Sequence, residues 1–137
     1  MYYIKNKMKN SKFIMLNYLY YLSLVVLIIV YLFPGSLIGY FLYGNFEKQP
    51  DLILNPIGTS INHLIYFLWL TILSFLINSK DYNLFNNLYF LFILSIGLEL
   101  LHLFIPNRAF EYYDLIANIS GIIIGLIIYK IFLWLKK

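Results

Sequence analysis

The residues able to do chemistry are few, and most fall late in the chain. Glu99 and His102 lie three apart, a spacing that puts both on one face of a helix. A carboxyl beside an imidazole can exchange a proton, hold a ligand or serve as a structural pair. His63 and Arg108 complete the candidate ligand-binding set. Arg108 offers a planar fork of donors suited to carboxylate or phosphate. Zinc sites use His and carboxylate ligands. Here, however, Glu99 and His102 make a single pair and His63 is distant in sequence, so no metal and no other cofactor is assigned. Asp114 stands just before an apolar run, where it can cap a helix and suit its positive N-terminus. Asn118 follows it by one helical turn, and Gly121 and Gly125 continue the same face. Small residues four apart allow close helix approach, so Asp114, Asn118, Gly121 and Gly125 read as helix-packing positions.

The elements that carry these residues follow from composition. The 137 residues are 62% hydrophobic and 12% charged, with a mean hydropathy of +0.79. Soluble domains are roughly half apolar and a quarter charged, so this chain has too few charges to cover a small globule. A net charge of +4 without a long basic face argues against nucleic-acid binding. Cysteine is absent, which excludes a disulfide framework and a thiol nucleophile.

The reading is an all-α integral membrane protein, a single domain over 1–137. Its spanning helices fall at about Phe13–Phe33, Ile61–Ile77, Leu84–Ile105 and Leu115–Leu135, each near the roughly 20 apolar residues a bilayer requires. Pro34-Gly35, Asn78-Ser79-Lys80-Asp81 and Pro106 mark the stops. Loops are short except for Pro34–Ser60, an apolar, aromatic and Gly-rich stretch that is too short to span and suits an interfacial or re-entrant path.

Eight of the ten basic residues flank one side: Lys5, Lys7, Lys9, Lys12, Lys80, Lys130, Lys136 and Lys137. The positive-inside rule then places both termini and the Lys80 turn in the cytoplasm. The first apolar run is longer than a usual signal core and lacks a small-residue cleavage site, so it reads as an uncleaved anchor. In this register Glu99 lies about 10 Å below the outer end of span three. His63, Glu99, His102, Arg108, Asp114 and Asn118 all gather at that outer face, from spans two, three and four. A carboxyl inside the membrane is costly unless it faces the bundle with a partner, and His63, His102 and Arg108 are the available ones. Arg108 and Asp114 together read either as an anion site or as a salt bridge that holds the outer turn.

The set Glu99-x-x-His102, Pro106-Asn107-Arg108, Asp114 and Asn118-x-x-Gly121 resembles the VanZ-like membrane protein family. That family shows Glu-x-x-Gln, Pro-x-Arg, a downstream Asp and Asn-x-x-Gly. His63 resembles the His of its earlier Asp-Lys-x-x-His motif, with Thr59-Ser60 in place of the Asp-Lys and His102 in place of the Gln. The resemblance covers spans two to four. It implies a bacterial cell-envelope setting, since the family is named for a protein linked to resistance to the glycopeptide teicoplanin and relatives occur beside polysaccharide genes.

The expected function is handling of an anionic lipid-linked envelope precursor, or interference by a glycopeptide with it, in the cytoplasmic membrane. Partners are membrane lipids and no nucleic acid, with a homodimer permitted by the Gly121/Gly125 face. The alternatives are a membrane enzyme acting on lipid-linked phosphate or sugar and a small proton-coupled transporter using Glu99. The chain has no nucleophile motif, which weighs against the enzyme.

Overall fold

A computed structural model describes residues 2–49, 58, 60–77 and 81–136. Its elements are α1 (Tyr2–Leu32), α2 (Leu37–Tyr43), α3 (Ser60–Ile77), α4 (Asp81–Leu101) with a 3₁₀ turn (His102–Phe104), and α5 (Tyr112–Leu135). Four of them contain apolar stretches long enough to cross a membrane: Ser11–Leu32, Ser60–Ile77, Asn87–Phe104 and Tyr112–Leu135. Hydrocarbon offers the backbone no outside hydrogen-bond partner, so a span is a helix or part of a closed barrel, and continuous apolar runs without alternation select the helix. The protein is all-α in its described residues, as composition and run length require.

Helix ends differ from the hydropathy boundaries where polar residues continue a helix. α1 reaches back to Tyr2, through the Lys-rich segment before Phe13, since Lys is a good helix former. Asp81, read as part of a turn, is the first residue of α4. Asn78, Ser79 and Lys80 lie outside the described residues, as do Pro50–Ile57, Thr59 and Lys137. α5 begins at Tyr112, so Asp114 stands inside its first turn. Glu111 occupies the N-cap position and makes no side-chain cap bond. Asp114 therefore does not cap the helix in the way its place before the apolar run suggests.

The segment after α1 folds back on itself. Ser36 Oγ caps α2 by accepting from Gly39 N at 2.9 Å, and Gly44 ends it with φ 67°, the left-handed conformation glycine adopts without strain. Ser36 N then donates to Phe46 O at 2.7 Å, and the Tyr40 and Phe46 rings stack 4.2 Å apart. α2 has seven residues, too short to span, and its Phe41 is 82% exposed.

Packing is tightest between α3 and α5. A methyl group on Gly121 would strike the Leu64 carbonyl, and one on Gly125 would lie 2.6 Å from Thr71 Cγ2. This small-residue face is thus covered by α3 within the chain and is not open to a second copy. Phe67, Leu70, Leu73, Leu91 and Ile122 fill the interior. Buried Thr71, Ser74 and Ser95 return their hydroxyls to carbonyls of their own helices at 2.7–2.9 Å. Large apolar side chains such as Ile29, Ile93, Ile127 and Ile131 point outward, the pattern expected of a lipid-facing surface.

Gly121→Ala is expected to cost about 1–3 kcal/mol by overpacking. Gly97→Ala meets nothing within 4 Å and should be neutral or stabilising, because it gains helix propensity. Thermal unfolding of the two variants in one detergent checks this; equal melting points would refute the close α3–α5 contact.

Candidate functional site

The site is built around the C-terminal end of α1. The last carbonyls of a helix have no partner within it, and Pro34, just beyond, has no N–H to offer. Two side chains from the other end of the sequence close this terminus. Arg108 donates from Nε to Phe33 O at 3.2 Å, and from Nη2 to Val30 O at 3.3 Å and Gly35 O at 2.5 Å. His102 Nε2 meets Tyr31 O at 3.0 Å, and its ring stacks on the Tyr31 ring at 4.7 Å. A cation beside the negative end of a helix is favourable. Arg108 is therefore first an anchor for α1. Burial pushes its guanidinium down from the ordinary arginine value, while Tyr31 and the carboxylates of Asp114, Glu99 and Glu111 act in the opposite direction.

One turn inside, Tyr31 Oη holds three partners: Glu99 Oε2 at 2.7 Å, Asn118 Nδ2 at 2.8 Å and His63 Nδ1 at 2.9 Å. These come from α4, α5 and α3, so all four long helices meet at one oxygen. A phenol has one proton to give and two lone pairs, and an amide nitrogen can only donate. With the Tyr31 proton on Glu99, His63 Nδ1 must carry a hydrogen and donate to Tyr31. Glu99 is fully buried. Its second oxygen accepts from Glu111 N at 2.9 Å and lies 3.4 Å from His102 Nδ1.

The fourth side of the knot is Asp114. Its Oδ1 accepts from Ser60 Oγ at 2.5 Å, and its Oδ2 lies 3.6 Å from His63 Nε2. His63, Glu99 and Asp114 each offer a ligand atom, all within 4.8 Å of one another, so these three could hold a metal ion. The close set is thus not the Glu99–His102 pair suggested by spacing. Asn118 is fully buried, and its Oδ1 has no hydrogen-bond partner.

Two cavities of about 260 Å³ each flank the cluster. One is apolar along Val26, Leu27, Val30 and Ile38 and ends at His63, His102 and Arg108. The other is polar, lined by Gln49, His102, Asn107, Arg108, Glu111 and Asp114. They share Gln49, His102 and Arg108.

All six polar residues singled out by type therefore converge, with Gly121 and Gly125 further along α5 against α3. Two alternatives read for them do not occur. Glu99 pairs with Tyr31 and His102 rather than Arg108, and Arg108 grips backbone carbonyls rather than Asp114. Sequence reasoning missed Tyr31, Ser60 and Gln49. Tyr31 carries a weak signal, a tyrosine three residues before the Pro34 stop, but tyrosines near span ends are common as interface anchors.

Tyr31→Phe strips the shared oxygen from three groups. Each buried polar group left unpaired costs about 1–3 kcal/mol, so a loss of at least about 3 kcal/mol is expected. Tyr129→Phe keeps the ring that stacks on Phe75 and should change little. Unfolding in detergent compares them, and similar losses would argue against the hydroxyl's role.

Glu111 gives a pH test. Burial, then the charges of Asp114 and Glu99, raise its carboxyl above the ordinary value of 4.5. The folded state then binds the proton more tightly, so stability falls as pH rises through that window. Glu111→Gln should melt higher than wild type at neutral pH, with the difference vanishing below about 4.5. A constant difference across the range would contradict this.

The family resemblance read from the motifs is met by a direct match. No curated protein and no solved structure matches the chain. The profile of the VanZ/LLP1 family matches residues 18–133, a range that runs from within α1 nearly to the end of α5 and holds every residue of the cluster. The chain is a multi-pass membrane protein, and it belongs to the VanZ/LLP1 family.

Proposed function

We propose that this protein binds an anionic lipid-linked envelope intermediate at the outer face of a bacterial cytoplasmic membrane, with both termini in the cytoplasm. The observation that carries the reading is the pair of cavities, one apolar and one polar, that share Gln49, His102 and Arg108. An amphiphile with a hydrocarbon chain and a charged head needs these two surfaces side by side. The chain would lie along Val26, Leu27 and Val30, and the head beside Arg108. Arg108 uses Nε and Nη2 on the carbonyls of Val30, Phe33 and Gly35 at the end of α1 and just beyond it, and Nη1 takes no part in those bonds. That nitrogen is a charge-assisted donor suited to a phosphate oxygen. Glu111 and Asp114 in the polar cavity repel a bare anion but accept from hydroxyl groups, which favours a sugar attached to the phosphate.

The orientation rests on the eight basic residues that, in the sequence, precede span one, join spans two and three, or close span four. Handling of such an intermediate would account for a role in teicoplanin resistance or in cell-surface polysaccharide assembly.

The test uses the full chain in nanodiscs, with retention of a long polyprenyl phosphate compared with that of the matching polyprenol. Wild type should retain the phosphate at least tenfold more tightly. Arg108→Gln should erase the difference, and Val30→Trp, which fills the apolar cavity, should weaken both. Equal retention of the two lipids by wild type would overturn the proposal.

A further inference from the structure

The facing atoms of His63 and Asp114 pose a problem of proton bookkeeping. Tyr31 has one proton, and it lies toward Glu99. His63 Nδ1 must then be the protonated ring nitrogen, because it meets the Tyr31 oxygen at 2.9 Å. In the neutral ring, Nε2 is then a lone pair facing Asp114, whose Oδ2 is 3.6 Å away. Two acceptors face one another at a separation too long for a good hydrogen bond. It is close to the roughly 3.3 Å that separates two ligands on a tetrahedral zinc with bonds of about 2.0 Å.

We propose that His63 Nε2, Asp114 Oδ2 and a Glu99 carboxylate oxygen form a binding site for a divalent transition ion of the zinc class. Three observations support it besides the mutual approach within 4.8 Å. Each donor already has an orienting partner, as metal ligands do. Tyr31 Oη holds His63 Nδ1, Ser60 Oγ holds Asp114 Oδ1, and Glu111 N holds the other Glu99 oxygen. Glu99, Asp114 and Glu111 set three carboxyl groups against the single Arg108 guanidinium, an excess of acidic groups that a divalent ion offsets. Asn118, whose Nδ2 bonds Tyr31 Oη, has a fully buried Oδ1 without a partner. A carbonyl oxygen at that place is a candidate fourth donor. The donor set of one imidazole and several oxygens suits zinc and its neighbours better than soft ions.

The site goes beyond the lipid reading and is tested without lipid, so either can fail alone. The full chain is purified in detergent with a chelator, dialysed, and titrated with Zn²⁺ alone. About one ion per chain is expected. Co²⁺ in its place should give visible absorption of a four- or five-coordinate site, a readout that needs no variant. His63→Ala and Asp114→Asn should each weaken Zn²⁺ binding by at least tenfold, and Ser60→Ala by about tenfold through loss of orientation. Glu47→Gln, at an exposed carboxylate that is not among the three ligands, should bind as wild type. Absence of both zinc uptake and cobalt absorption in the wild type, or unchanged binding by His63→Ala, would overturn the proposal.

Discussion

The hydroxyl of Tyr31 is the point on which this end of the bundle depends. It joins α1 to α3, α4 and α5 through His63, Glu99 and Asn118. Apolar packing alone gives helices in a membrane little preference for one register, because lipid tails are as apolar as leucine side chains. A buried oxygen with one donor and two acceptor sites does set register, since each partner must arrive from a fixed direction. Asn118 has to donate, Glu99 has to accept, and the His63 tautomer follows. The close α3–α5 approach at Gly121 lets Asn118, one turn earlier, reach that oxygen. Small residues thus serve the polar knot as well as the apolar packing.

The same end must also terminate α1. Pro34 stops the helix and leaves carbonyls open, and the chain returns more than 70 residues later with Arg108 and His102 to meet them. This double use explains why the short stretch from Glu99 to Asp114 is dense in polar groups. Glu99 and His102 lie at the end of α4, Arg108 follows the positive-φ turn at Asn107, and Asp114 opens α5. A tight turn between two spans lets a single segment reach the end of α1 and the interior together.

Much of this was legible in the sequence, for a physical reason. Ionisable groups in an apolar chain are costly, so few remain, and those few mark positions that must be paired. Glu99, His63, His102, Arg108 and Asp114 stand out by type, and the four spans stand out by length. Pairings were harder to read. Arg108 near two carboxylates suggested an ion pair, yet it chose neutral carbonyls, because an open helix end is a local negative pole that charge counting overlooks. Asp114 looked like a cap because it precedes the apolar run, but α5 starts earlier, with two tyrosines that hydropathy scores as polar. Tyr31 was invisible among 14 tyrosines. Its role is set by three-dimensional convergence, which neither spacing nor residue type encodes.

Arg108 is where anchoring and recognition meet. A guanidinium has five N–H donors in a rigid plane, and three bonds, one to Val30 in α1 and two to Phe33 and Gly35 just beyond it, fix that plane against the helix end. Fixing the plane also fixes the direction of the remaining donors, which removes the flexibility a free arginine would lose on binding. Of the two cavities that share Arg108, the apolar one is walled by the α1 end it holds and the polar one by the turn it belongs to. A lysine could not do both, because a single ammonium on a flexible stem lacks the fork that grips three carbonyls at once. Preorganisation of the donor and integrity of the cavity wall therefore rest on the same bonds. For a ligand headgroup at this place, affinity and the stability of the α1 terminus are coupled through one side chain.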